Sequence, residues 1–466
     1  MTHRHRSPWL PTWWDAILLC ILLLSGFSLD DPGVKKHVPW LIGLQMGAHS
    51  FVSGLSRLGG KAPRGVAVVE IGDAAFWSPP LDGTQPTNRA YLASLVNATV
   101  RAGASVIALD FQLKSPANVP ADNPVRADDN RKLMEATAAA AEAHIPVVLT
   151  AGFVLDGEEW RREPNICDDR DKDGALFFSQ SDPNPNPLKR TASPPAPGSS
   201  ACEILSKLGN VSVGYINLPA DRREVPLQFQ AEEFDNSGQK EFDSFALQIV
   251  SACAARFDFS RSPLVCGGSP AVVSGYRDVV DLTKEHDFAY AGFISRSAFS
   301  GYTVPAQDLL HASQLSAGDW DASPFPGELT NRAVLIGATW HEFGHQRGPL
   351  IDAYSSPAGQ MPGVFLHANY VEAILRGLAA PVSRTWSRII ELIAGYLLIV
   401  LMHSRRGFAQ WVLVWLAGSV LLAGLALLLS VWGWYLDFSL ISALLLVHVF
   451  VEHYEHLRQH AREGGY

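Results

Sequence analysis

The sequence predicts an α/β protein: a mostly parallel sheet with flanking helices and a long polar insertion, attached to four transmembrane helices. Three observations carry that prediction. Gly65–Ile71 (GVAVVEI), Ser105–Asp110 (SVIALD), Pro146–Ala151 (PVVLTA) and Ala333–Gly337 (AVLIG) are short apolar runs of the kind that form strands buried on both faces. Helix-like stretches of crossover length separate the first three, which implies right-handed connections and parallel pairing. Finally, the 45 residues from Gly407 to Val451 contain a single charge, Asp437. A stretch of that length reads as two spans and a turn, because about 20 apolar residues cross a bilayer.

In chain order, residues 13–29 form the first expected span. They follow His3-Arg4-His5-Arg6, and Ala16–Leu29 is free of charge. Asp30-Asp31-Pro32 follows directly in place of a small-x-small cleavage site, which favours an uncleaved anchor over a signal peptide. Pro39–Leu58 is expected to be an amphipathic helix leading to the sheet. Asn88–Arg101 and the Ala-rich Asp129–Ala143 are helical, and Asp156–Ser200, rich in Pro, Asp and Ser, is a long loop or insertion. Phe365–Arg376 forms the last helix of the outer part. Residues 386–403, 408–431 and 435–451 are the remaining spans, with Trp432-Gly433-Trp434 as a turn suited to the headgroup layer.

The basic residues orient the chain. Arg4 and Arg6, Arg405 and Arg406, and Arg458 and Arg462 fall on one side of a four-span arrangement, which makes that side cytoplasmic. Arg384 and Arg388 lie opposite as a mild exception. Residues 30–385 are then extracytoplasmic, and 1–12 and 452–466 are cytoplasmic. Hydrophobic residues make up 47% of the chain and charged ones 18%. Those averages exclude a disordered chain or a small disulfide scaffold. The net charge of −9 leaves no basic surface for nucleic acid. Four cysteines, Cys167, Cys202, Cys253 and Cys266, lie in the outer part, where oxidation allows two disulfides in any of three connectivities. Proximity in the chain suggests Cys253–Cys266 and Cys167–Cys202, and buried free thiols are the alternative.

Several stretches resemble the type 2 CHASE domain, a sensory extracellular domain associated with cyclases and histidine kinases. They are VAVVEIGDAAF, NRAYLASLVNATVRAGASVIALDFQL, GYINLPADRREVPL with Arg223, AVLIGAT, Asp352–Pro357 and MPGVFLHANYVEAIL. The arrangement of one span, a large outer domain and three closely spaced spans is similar to that of such receptors. LDGTQPTNR stands where the family has a tryptophan-proline-tryptophan segment. The resemblance implies a sensory function in the inner membrane of a bacterium, with an unknown extracytoplasmic ligand. Only 15 residues follow Val451, so no output domain is expected on this chain and a separate cytoplasmic or membrane partner is implied. A homodimer is compatible with that reading.

Four clusters are candidate sites. Asp73, Arg89 and Asp110 sit at strand ends or a helix start, where open α/β sheets bind ligands. With Asp352, His367 and Asn369 they are the expected ligand-binding residues, or else caps, turns and a core histidine. Asp169, Asp171, Asp173, Ala175 and Gln180 follow calcium-loop spacing, with Gly174 at the turn. Gln180 replaces the usual bidentate Glu, so a Ca2+ site here would be weak; a solvated acidic loop is the alternative. HEFGH, His341–His345, matches H-E-x-x-H and offers a zinc hydrolase built on His341, Glu342 and His345 as a rival. Gly344, Gly348 and Pro349 oppose the helix that chemistry needs. His453, His456 and His460 share one face of a helical tail, as metal ligands, a partner contact or a solvated helix end. No Walker loop, nucleophile elbow or dinucleotide fingerprint occurs, so the expected function is non-enzymatic. A structural subunit of a membrane complex is a third reading.

Overall fold

The computed structural model describes residues 39–55, 63, 65–85, 87–113, 127–156, 159–163, 211–219, 223–232, 238–255, 287–344, 346–382, 384–403 and 408–438, and scattered positions from 442 to 458. The chain divides into two units. Gly60–Ala289 with Phe293–Leu378 form one, and Met1–Gly59, Tyr290–Gly292 and Ala379–Tyr466 form the other.

The larger unit is built on a six-stranded, all-parallel sheet. Its strands are β1 (Val66–Ile71), β2 (Val106–Asp110), β3 (Val147–Ala151), β6 (Val211–Tyr215), β11 (Thr303–Pro305) and β12 (Ala333–Ala338), in the order β11-β1-β12-β2-β3-β6. The four strands read from the sequence are all present. The late strand β12 inserts between β1 and β2, with Val66 opposite Ala333 and Gly337 opposite Asp110.

Both faces of the sheet are covered, which explains the unbroken apolar runs. Ala67, Val69, Ile71, Ile107 and Leu109 form a core with helices α2 (Arg89–Arg101) and α3 (Ala127–Glu142). Residues of the other parity, Val66, Val68, Ala108 and Leu335, are equally buried. Helices α4 (Phe245–Ala255) and α6 (Gly363–Arg376) pack on the strands, and α5 (Ala306–Ser313) packs on α2. Helix α2 starts where Asn88 accepts hydrogen bonds from the amides of Ala90 and Tyr91, an N-cap. Helix α6 approaches β12 closely. A Cβ on Gly337 would stand 2.5 Å from Cβ of Val364, so only glycine fits there.

The start of the polar insertion forms strands. Phe153–Asp156 (β4) and Glu159–Arg162 (β5) form a hairpin, joined by Gln228–Glu232 (β8) and Gln239–Asp243 (β9) into a four-stranded sheet. The expectation of a loop from Asp156 is corrected at β5. Phe153, Phe229 and Phe242 pack edge to face there, a cluster that short polar-flanked segments do not advertise. Glu224–Pro226 (β7) pairs with Phe288–Tyr290 (β10), and Ala353–Ser356 (β13) forms a hairpin with Gly359–Pro362 (β14).

The smaller unit contains α1 (Pro39–Leu55), Arg384–His403 (α7) and Phe408–Val431 (α8). Leu398 and Ile399 of α7 pack with Leu422 and Leu445, and Gly418 of α8 leaves room for Leu398. Leu413, Leu416, Val420 and Leu421 of α8 stay exposed. Among the described residues one helix, Phe408–Ser430, is long and apolar enough to cross a membrane, and Ile393–Met402 is a shorter apolar helix. The expected span at 13–29 lies outside the described residues, and that at 435–451 lies partly outside them. The strands Ala380–Pro381 (β15) and Trp434–Tyr435 (β16) pair in parallel beside the end of α8.

Candidate ligand site

The carboxyl ends of β1, β12 and β2 lie side by side, and each carries polar residues. At the end of β1, Glu70 accepts from Thr339 Oγ1 and pairs with Arg296 at 3.3 Å. Asp73 opens a single helical turn after β1. Its carboxylate accepts from the amides of His341 (2.6 Å) and Gln346 (2.7 Å) and contacts His341 Nδ1 at 3.0 Å. Burial alone would raise this carboxyl. The two amides and the His341 ring outweigh it, and Asp73 titrates below the ordinary carboxylate range.

Those contacts fold the HEFGH segment. His341 bridges to Leu350, Glu342 N donates to Pro349 O, and Glu342 and Phe343 form a turn with Gly344 at φ +70°. The stretch from His341 to Gly344 is a hairpin and not a helix, so the helical geometry of a zinc protease is absent from it. His345 lies outside the described residues. No cluster of three metal-ligating side chains occurs among the described residues.

The end of β2 differs. Asp110 is the last residue of the strand, and its side chain is 8% exposed. His367 of α6 is equally buried, with Nε2 3.8 Å from Asp110 Oδ1, and its ring meets Phe245 and Tyr370 edge-on. Burial, and then the negative charge of Asp352, push the Asp110 carboxyl up to about 8. No hydrogen bond to that carboxyl is made among the described residues. Asp352 is exposed, holds φ at +59°, and sets its carboxylate against Gly363, where any Cβ would collide with it. The exposed Asp352 and the buried pair Asp110 and His367 therefore gather near the start of α6.

The other expected ligand residues are occupied elsewhere. Arg89 is buried and donates to Asn130 Oδ1 on α3. Asn369 is buried and brackets one residue: Ile294 N donates to its Oδ1 at 2.6 Å, and its Nδ2 donates to Ile294 O and Phe365 O. Residues Asp169, Asp171, Asp173, Ala175 and Gln180 lie outside the described residues, as do Cys167, Cys202 and Cys266. Cys253 is buried on α4. His453 stacks near Phe408, and His456 and His460 lie outside the described residues.

Two acids went unread in the sequence. Glu70 is the last residue but one of β1 and meets Thr339 and Arg296. Glu372 of α6 is 1% exposed, accepts from the amides of Gly65 and Val66, and meets Arg376 Nε at 3.2 Å. Its signal was a lone carboxylate inside an apolar helix, a residue type that is buried only when paired.

A model of the CHASE2 domain family matches residues 38–405. Neither a curated protein nor a solved structure matches the chain.

Proposed function

The chain belongs to the CHASE2 domain family, a family of sensory extracellular domains, and from that premise we propose that it is a membrane-bound extracytoplasmic sensor. Its ligand binds at the carboxyl edge of the sheet, between Asp110, Asp352 and His367. The observation that carries this reading is the Asp110 carboxyl: buried, close to a second acid and a histidine, and reached by no hydrogen bond among the described residues. A hydrogen bond from a ligand donor at that position would contribute about 0.5–1.5 kcal/mol net, and more from a charged donor. Binding shifts the protein only through unequal affinity for two states. Helix α6 offers the lever, since it carries His367 and starts against Asp352.

In this reading four spans, at 13–29, 386–403, 408–431 and 435–451, anchor residues 30–385 on the periplasmic side of a bacterial inner membrane. A separate cytoplasmic or membrane partner receives the signal. The exposed apolar face of α8 supports the anchoring. Disulfides among Cys167, Cys202, Cys253 and Cys266, and a weak Ca2+ loop at Asp169–Gln180, belong to the same proposal.

The test uses the full chain in lipid nanodiscs. Thermal unfolding is measured against a panel of amines, amino acids, sugars and carboxylates. A compound that raises the melting temperature of the native chain, and fails to do so in Asp110→Asn and Asp352→Asn, supports the site. A shift that survives both substitutions removes it from this edge. If no compound shifts the native chain, the ligand-binding reading fails.

A further inference from the structure

Within the larger unit, Glu70, Asp110, Asp352, Arg296 and His367 stand around the start of α6. Glu70 and Asp110 flank Gly337, in register across β1, β12 and β2. Residues in register on parallel strands share a face. Here it is the face that α6 covers, since a Cβ on Gly337 would meet both Val364 and Asp110. Glu70 is matched by Arg296 at 3.3 Å and accepts from Thr339 Oγ1. Asp110 has no such match. His367 is the one base in ion-pair contact with it among the described residues, and at 3.8 Å it is too far for a hydrogen bond.

The usual seat for an anion is filled as well. Helix N-termini attract negative charge. Helix α6 has 14 residues, and its N-cap, Pro362, offers no side-chain acceptor. The chain's own Asp352 supplies the charge: its backbone oxygen accepts from Gly363 N at 2.9 Å, and its carboxylate lies where a Cβ on Gly363 would be. An anionic ligand would therefore meet carboxylates at this helix end. Burial, and then the charge of Asp352, push the Asp110 carboxyl up to about 8, so below that pH a proton occupies it. The smallest cation is taken up there without any ligand.

The geometry points to an organic cation as the ligand of this edge: a small primary amine, bound as its ammonium, with the nearly buried Asp110 and the exposed Asp352 as its counter-charges. An ammonium carries three donors and no acceptor, which suits two carboxylates. Bonds between charged partners are also about twice as strong as neutral ones. Asp110 is 8% exposed, so only a small head group reaches it. Phe245 and Tyr370, edge-on to the His367 ring, make that side apolar. A metal ion is a poorer fit, because no three metal-ligating side chains gather among the described residues. The inference rests on the ligand reading above and narrows it to one chemical class. An amino acid, with a carboxylate beside its ammonium, falls outside that class.

Thermal unfolding of the full chain in nanodiscs, at constant ionic strength, tests the class with matched probes. These are methylamine, butylamine, butanol and butyrate, with Mg2+ and Zn2+ alongside. The amines are expected to raise the melting temperature with dose, and the other probes to leave it unchanged. Asp110→Asn and Asp352→Asn are each expected to raise the amine concentration for half the effect about tenfold, as a charged acceptor becomes neutral. Asparagine tolerates the left-handed backbone at position 352, so Asp352→Asn carries the test if Asp110→Asn fails to fold. An amine effect unchanged in both variants, or a metal effect as large as that of the amines, overturns the proposal. If butanol or butyrate shifts the native chain and neither variant, the amine class fails while the site stands. If no probe shifts the native chain and none of the wider panel does, both fail.

Discussion

At the ends of β1 and β2, the strands on either side of β12, an aspartate meets a histidine, and the two pairs do opposite things. After β1, Asp73 is fully engaged by two amides and the His341 ring, and its carboxyl is held low. At the end of β2, Asp110 faces His367 at 3.8 Å with no hydrogen bond among the described residues, and its carboxyl is pushed up to about 8. The first pair is a bracket that shapes a hairpin. The second is a nearly buried acid beside a histidine and a second acid, a perturbed group of the kind that clusters at functional sites. Residue type and position at a strand end do not distinguish the two; the hydrogen-bond partners do.

The sharpest way to break the comparison is to change pH. Asp110 titrates near 8 in the folded chain, against 3.8 as its ordinary value. The folded state therefore binds its proton more tightly than the unfolded state does. The stability from this group is complete below about pH 4, falls as the pH rises, and is gone above about 8. The loss is on the order of a few kcal/mol across that window. Asp110→Asn cannot ionise, so its melting temperature is expected to decline less than that of the native chain between pH 5 and 9, in buffers at about constant ionic strength. Equal slopes for the two proteins would place Asp110 in a solvated environment and dissolve the contrast with Asp73.

Asp73→Ala should come next. It strips the acceptor from the amides of His341 and Gln346, and an unmade hydrogen bond at a part-buried group costs about 1–3 kcal/mol. Chemical unfolding is expected to show a loss of roughly 2–3 kcal/mol, with faster exchange confined to the hairpin at His341–Leu350. A loss below about 0.5 kcal/mol would mean that the hairpin holds itself.

Gly337→Ala tests how the Asp110 side is assembled. The new Cβ would stand 2.5 Å from Val364 Cβ and 3.3 Å from Asp110 Cβ. Helix α6 would have to retreat from β12, at roughly 1–3 kcal/mol, the usual cost of overpacking. His367 moves with that helix, so the Asp110 titration should shift as well. A destabilised protein whose Asp110 still titrates near 8 would show that burial alone, without α6, sets that value.

How much of this was open to a reader of the sequence differs by level. The four apolar runs gave their strands directly, because strands covered on both faces carry few polar residues to blur the pattern, and those few sit near the strand ends. Thr303–Pro305 escaped because three residues show no period, and they become a strand only by lying beside Val68–Glu70. The hairpin Phe153–Arg162 escaped because its second strand, EWRR, is polar, and the sheet that supports it is completed by β8, far along the chain. At the site, Asp110 and His367 were legible as polar residues on buried elements. Asn369 looked the same by that criterion, and its role as a bracket for Ile294 depends on a loop 75 residues away. The sign of each pKa shift was out of reach, since it follows from which amides the fold delivers.

Glu70 gives the smallest effect and the finest division of the edge. It stands between the two extremes: Thr339 Oγ1 donates to it at 3.3 Å, and Arg296 pairs with it at the same distance. Its partner is 44% exposed, so the ion pair is largely solvated. Exposed pairs contribute about 0–1 kcal/mol and weaken with salt. Arg296 also lies over the ring of Phe365, 5.2 Å from its centroid, so its removal loses a second weak contact. Arg296→Ala is therefore expected to cost no more than about 1 kcal/mol at low salt and less at high salt, measured by urea unfolding at both ionic strengths. A salt-independent loss of 2 kcal/mol or more would move Glu70 into the company of Asp73, as a second bracket of the edge. Asp110 would then stand alone among these acids in having no partner of that kind.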